Sequence, residues 1–209
     1  MPALWVVKLG GSFYAGDTLP QWLAALARGP RVIVPGGGPF ADAVRAAQQR
    51  WRFSDATAHA MAVTAMGQFG RMLQGLCPDL LICRRVQDID PALSDGRAVV
   101  WVPELDELRG PAIVESWTMT SDSLAAWLAG VLDAGQLLLV KSAPVPAGTL
   151  SVPAAVMAGL VDAALPRVLA GSTRPAWLCS AEQHDRLAAG LRVPDQVFTR
   201  LMPDAMSQP

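Results

Sequence analysis

The chain has 209 residues, 52% of them hydrophobic, and its charged side chains nearly cancel at a formal net charge of -1. That apolar content can bury a sizeable core and excludes a disordered or fibrous chain. Without a basic excess there is no charged field for nucleic acid or anionic lipid, so an anionic ligand must be held by local groups.

The longest apolar stretch, 124–140, is broken by Asp133, Gly135 and Gln136. It is too interrupted to cross a bilayer, and no basic-then-apolar leader opens the chain, so a cytoplasmic protein without a membrane partner is expected. Cys77, Cys83 and Cys179 form no CxxC pattern and only His59 and His184 accompany them, so free thiols are expected, with no metal site and no disulfide framework.

In chain order, Trp5-Val6-Val7-Lys8-Leu9 reads as a buried strand running directly into Gly10, Gly11 and Ser12. Glycines let backbone N–H groups approach an anion with no Cβ in the way, and Lys8 adds a mobile full charge, so this strand end suits phosphate. A strand that merely leaves its sheet through a glycine turn would look the same. Asp17 or Thr18 then caps a helix with Pro20 in its first turn and Leu19, Trp22, Leu23 and Leu26 along one side. Residues 31–35 read as a second strand ending in Gly36-Gly37-Gly38-Pro39, and 40–50 as a helix with Ala41, Val44 and Ala47 as its apolar stripe. Strand, glycines and helix start thus recur as a second candidate anion site.

Ser54 or Asp55 caps a long helix to about residue 76, with an expected buried stripe of Ala58, Met61, Ala62, Ala65, Met66, Phe69, Met72 and Leu73. His59 runs beside the stripe on a line with Val63, Met66 and Gly70. The alanine-rich surface of this helix is also a candidate interface in a homo-oligomer, with Met66 as the position to test. Further strands are expected at 80–83, 98–102, 137–141, 176–179 and 196–201, and helices at 123–132, 154–164 and 182–191. The prolines and glycine from Pro144 to Pro153 read as a long loop. This alternation predicts an α/β fold with a mainly parallel sheet covered on both faces. Ligands of such sheets bind beyond the carboxyl ends of the strands, where both glycine loops and Lys141 fall.

Of 17 basic residues only Lys8 and Lys141 are lysines, and both lie at predicted strand ends. In a chain that otherwise uses arginine, that placement asks for a compact ammonium rather than a planar fork; the alternative is an arginine-biased composition with two lysines left over. Ser116-Trp117-Thr118-Met119-Thr120-Ser121-Asp122-Ser123-Leu124 is a helix start, with Ser121 or Asp122 as cap. The same Asp122 carboxylate, near the strand ends that deliver Lys8 and Lys141, would lock two ammonium groups in place. Phosphoryl transfer needs little else from a protein than positioning and cancellation of negative charge.

VVKLGGS, then VIVPGGGPFADAVR, then SWTMTSDSLAAWLAG, then LLLVKS resembles, in this order, the amino acid kinase family. The resemblance implies one three-layer α/β/α sandwich over 1–209, with an acceptor half to about residue 115 and a nucleotide half from 116. It implies ATP and Mg²⁺ as cofactors and a small-molecule acceptor as partner. By the family pattern, Lys8, Gly10, Gly11 and Ser12 contact the transferred phosphoryl group, and Gly36, Gly37 and Gly38 cradle the acceptor. Asp122 orients the lysines, and Thr120, Ser121 and Ser142 face the nucleotide. Within the family the chain is similar to the branch that phosphorylates an aminomethylfuran-methyl phosphate in methanofuran biosynthesis: AHAMA around His59, SW-x-x-TSDSL, VDAALP and a terminal FTRL carry that likeness. It implies His59 on the acceptor phosphate, Asp162 on a substrate amine, and Trp117 free to stack on a flat ring. Isopentenyl phosphate, a nucleoside monophosphate or a carboxylate remain alternative acceptors. So does a binding or storage protein of the same fold, because Lys141-Ser142-Ala143-Pro144 stands where many members have an acidic TD-x-DG-like turn. Lys141 is expected to take over a β- and γ-phosphate contact made elsewhere in the family by another basic residue.

Overall fold

Strand β1 (Trp5–Leu9) has all five residues buried, and its alternating side chains set the layering. Val6 faces one hydrophobic core with Val32, Val34, Val99, Leu137 and Leu139. Trp5, Val7 and Leu9 face a second core on the other side, with Ile33, Val100, Leu138 and Val140. Such a strand belongs in the middle of a sheet covered twice, as the sequence predicts.

The computed structural model describes residues 3–203. Within them β1 is joined by β2 (Val32–Pro35), β3 (Leu81–Cys83), β4 (Val99–Trp101), β5 (Gln136–Lys141), β6 (Thr149–Ser151), β7 (Ala176–Ser180) and β8 (Thr199–Met202). The strand order is β3-β4-β2-β1-β5-β7-β8-β6, and every pairing is parallel except β7 with β8. The helices are α1 (Leu19–Leu26), α2 (Gly38–Trp51), α3 (Asp55–Leu76), α4 (Ile89–Ser94), α5 (Ser121–Val131), α6 (Val152–Met157), α7 (Leu165–Leu169) and α8 (Leu187–Gly190). Leu124 and Leu128 of α5, with Val152 and Leu165 of α6 and α7, close the first core; Trp22, Leu23 and Leu26 of α1, with Leu187 of α8, close the second. Fully burying each of the larger side chains stabilises the fold by roughly 1.5–3 kcal/mol. No helix among the described residues is long and apolar enough to cross a membrane.

Several expected boundaries shift. The helix expected over 154–164 stops at Met157, and Gly159, at φ +66°, turns the chain into a loop that carries Asp162. The helix expected over 182–191 is a 3-10 turn, Ala181–Arg186, followed by α8. Short β6 and α4 carry too little periodicity to be seen in advance. In α3, capped by Ser54 accepting from the Thr57 N–H, Met61 is 39% exposed instead of buried, while Gly67 and Gly70 face Val100 and Val102 of the sheet. Met66, the candidate interface position, faces the core.

Candidate active site

The register of the sheet brings the two lysines together. Lys8 lies opposite Leu139 of β5, and because side chains alternate, Lys141 sits one pleat further along on the same face. The sheet order reverses between β1 and β5, the position where open α/β sheets form a ligand crevice. Helix α5 covers that face, and its second residue, Asp122, sets its carboxylate between the two lysines. Lys141 Nζ donates to both Asp122 oxygens at 2.6 Å, and Lys8 Nζ lies 3.0 Å from Oδ1. Exposures of 7%, 8% and 4% for Lys8, Lys141 and Asp122 leave little water around the cluster.

Two ammonium groups sharing one carboxylate carry a net positive charge into a poorly hydrated place. Burial opposes ionisation of Asp122, but the two lysines overcome it and hold its pKa down at about 2. For Lys141, burial and then the Lys8 charge outweigh the pull of Asp122 and lower its pKa to about 8. The cluster therefore carries an uncompensated positive charge, which suits an anion.

Two cavities, each of about 300 Å³, adjoin at Ser12 and Thr120, and the cluster lines one of them. One is lined by both glycine loops, His59, Met66, Trp117 and Ser121; the other by Lys8, Asp122, Lys141, Ser142 and Asp162. Ser12 and Thr120 line both, and Ser142 Oγ donates to Ser12 Oγ at 2.8 Å across the opening. Gly10 packs under Lys8, since a Cβ there would lie 3.3 Å from the Lys8 Nζ.

The two glycine loops interlock. A Cβ on Gly11 would lie 2.2 Å from the Gly38 nitrogen, and one on Gly36 would lie 2.2 Å from the Gly11 nitrogen, so only hydrogen fits at either place. The Gly36 N–H donates to the Leu9 carbonyl at 2.9 Å, which ties the second loop to the end of β1. Gly37 and Gly38 open α2, whose first N–H groups have no partner within the helix and sit at its positive dipole end.

His59 is 5% exposed and its Nε2 has no hydrogen-bond partner. Burial lowers its pKa, against a smaller upward pull from the Ser116 backbone and Glu115, so the ring is neutral in the empty site. A buried ring nitrogen without a partner is costly unless a ligand completes it. Trp117 forms the opposite wall: its Nε1 donates to Gln48 Oε1 at 2.6 Å, and the Arg45 guanidinium stacks on its ring at 4.2 Å.

Asp162 stands apart from that cavity. One carboxylate oxygen accepts from the Thr120 N–H at 2.9 Å, the Thr120 hydroxyl at 2.8 Å and the Ser123 N–H at 3.0 Å. The other accepts from the Ser123 hydroxyl and from the Leu165 N–H at 3.1 Å. Five donors occupy a group with about four lone-pair positions, which leaves no acceptor capacity for a substrate amine.

A family model described as the amino acid kinase family matches residues 3–144, more than half of the chain. The chain belongs to the amino acid kinase family. Over 142 residues it is 27% identical to the [5-(aminomethyl)furan-3-yl]methyl phosphate kinase of Methanocaldococcus jannaschii, a match spanning 64% of this chain and 63% of that enzyme, just under two thirds of its length. Among solved structures, uridylate kinase from Archaeoglobus fulgidus superposes with a TM-score of 0.71 at 15% identity, over 95% of this chain and 99% of that one. Aspartate kinase from Synechocystis gives 0.67 at 15% identity, over 99% of this chain and 41% of that one. These likenesses agree with the three-layer, mainly parallel sandwich expected from the sequence.

In this amino acid kinase family member, neither Ser121 nor Asp122, the caps expected from the sequence, caps α5; both lie inside its first turn. Thr120 occupies the N-cap position but makes no cap with its own side chain. Asp162, 42 positions away, supplies the cap instead. No local signal marks such a contact. Arg45 and Gln48 were also missed, although their helical spacing on α2 after the glycine loop puts them on one face. Among the described residues no group of three His, Cys, Asp or Glu side chains is placed to hold a metal ion.

Proposed function

We propose that this protein is an ATP-dependent kinase that transfers the γ-phosphoryl group to a phosphate monoester, with [5-(aminomethyl)furan-3-yl]methyl phosphate as acceptor and a diphosphate as product. The observation that carries this reading is the buried, net positive Lys8–Asp122–Lys141 cluster lining one of two adjoining cavities. The donor phosphates would lie against Lys141 and Ser142, and the acceptor phosphate against the Gly36–Gly38 loop and His59. Lys8, Gly10, Gly11 and Ser12 would meet the migrating group between them. An acceptor phosphate is already ionised, so transfer needs no general base and the site contains none at the junction. A phosphate against His59 Nε2 would draw a proton onto the ring, turning an unpartnered nitrogen into a charged donor. Trp117 would offer its free face to the flat ring of the acceptor.

Both carboxylates beside the donor cavity are engaged, Asp122 by two ammonium groups and Asp162 by five donors. The residues therefore fit a Mg²⁺ carried on the nucleotide oxygens rather than one ligated by the chain. When bound it supplies charge neutralisation on the β- and γ-phosphates. The acceptor assignment rests on the Methanocaldococcus relative. ADP formation measured against a panel of the furan phosphate, isopentenyl phosphate, uridine monophosphate, aspartate and glutamate tests it. Turnover confined to the furan phosphate is the expected result. Preferred turnover of another member replaces the acceptor, and nucleotide binding with no ADP formed from any of them overturns the kinase reading.

A further inference from the structure

Asp162 lines the same cavity as Lys8, Asp122 and Lys141, but its carboxylate is taken up by donors of the protein itself. Its five contacts fall on Thr120, Ser123 and Leu165, the residues that start α5 and α7. Ser121 and Asp122 lie between Thr120 and Ser123, so the segment that carries Asp122 is held at both ends by one carboxylate from a distant loop. Ser123 is fully buried, so its contact with Asp162 lies away from solvent. A helix start without its own cap frays, and fraying here would carry Asp122 away from the two ammonium groups.

We propose that Asp162 is a positioning residue of the phosphoryl-transfer site: it caps α5 so that the Asp122 carboxylate stays between Lys8 and Lys141. The inference rests on the kinase reading for its catalytic consequence, but the geometry it asserts exists without substrate. Lys141 is faced by Lys8 from β1, Asp122 from α5 and Asp162 from the loop before α7; these are the charged groups lining its cavity. Asp162 adds a weaker direct pull that raises the proton affinity of Lys141, behind the larger effect of Asp122. Removing the Asp162 charge therefore lowers the Lys141 pKa in two ways, by losing its direct pull and by loosening the Asp122 contact.

The chain contains two lysines, so isotope-labelled lysine gives two side-chain resonances and each ammonium can be titrated directly by NMR in the unliganded protein. Asp162→Asn keeps the shape of the side chain but puts an N–H where one of the donors needs an acceptor. The Lys141 midpoint, at about 8 in the unaltered protein, is expected to move down in Asp162→Asn. It is expected to move in the same direction by less in Ser123→Ala, which loses a single contact and keeps the fold. With a turned-over acceptor, kcat falls on the order of 10- to 100-fold in Asp162→Asn while the acceptor KM stays within about twofold. An unchanged Lys141 midpoint in Ser123→Ala and in any folded Asp162→Asn overturns the proposal, as does a loss confined to acceptor KM. If the unaltered protein forms no ADP, the kinase reading fails, and the lysine titration still decides whether Asp162 governs the cluster.

Discussion

Replacing Asp122 by Asn tests the charge balance on which the site depends, because it removes one negative charge and almost no volume. In the native protein Lys8 and Lys141 are both bound to the same carboxylate, so their nitrogens lie within about 5.6 Å of each other. At an effective dielectric near 20, two such charges repel by about 3 kcal/mol, and the carboxylate whose oxygens lie 2.6 Å from Lys141 Nζ attracts it by more than that. Losing that attraction lowers the Lys141 pKa by at least about 2 units, further below its ordinary range than the native value of about 8. At pH 7 the variant then lacks the ammonium on the donor side. Stability falls by about 3–5 kcal/mol, as for other buried ion pairs that lose one partner. The assay is the pH dependence of kcat/KM for ADP formation, which reports groups of the free enzyme. The native protein is expected to lose activity as pH rises through about 8, and Asp122→Asn to be at least about 100-fold less active at pH 7 and to recover as pH falls toward 5. An alkaline limb at the same pH in both proteins, or full activity of the variant at pH 7, would refute the reasoning.

Lys141→Met replaces a buried ammonium by an apolar chain of similar length, so the variant should fold, with kcat lowered at least about 100-fold and acceptor KM changed little; an unchanged kcat removes Lys141 from the mechanism. Gly36→Ala forces a methyl group to 2.2 Å from the Gly11 backbone, and the expected cost of about 3 kcal/mol or more lowers the melting temperature by roughly 6–12 °C; an unshifted melting curve would show that the loops do not interlock. Urea denaturation as a function of pH reads two opposite contributions. Asp122, held at about 2 against 3.8 in the unfolded chain, contributes about 2 kcal/mol that is present above pH 4 and lost as pH falls toward 2. Lys141, lowered to about 8 from 10.5, leaves the unfolded chain with the extra proton between those values, so its contribution makes stability rise with pH across that window. Lys141→Met should remove that rise, and a rise that persists in the variant assigns it to another group.

The reach of sequence reasoning differs from residue to residue. His59 was legible as a polar residue on a buried line of α3, and Val63, Met66 and Gly70 on that line are buried with it. Met61 was misplaced for the converse reason: helical spacing gives an apolar stripe its width, but contact with the sheet is centred one position over, where Gly67 and Gly70 allow close approach. The role of Asp162 was not legible, since nothing local distinguishes a surface aspartate, a ligand for an amine and a cap for a helix 42 residues away.

By itself the sequence determined the alternation of strands and helices, the buried faces of the central strands, and the glycines and lysines at strand ends. Those follow from period, steric freedom and charge, which act within a few residues. Only the tertiary structure decided that β1 and β5 are neighbours and that Asp162 secures the helix carrying the Asp122 carboxylate. Such contacts join segments far apart in the chain, and their geometry is set by strand order and register, which local preferences do not specify.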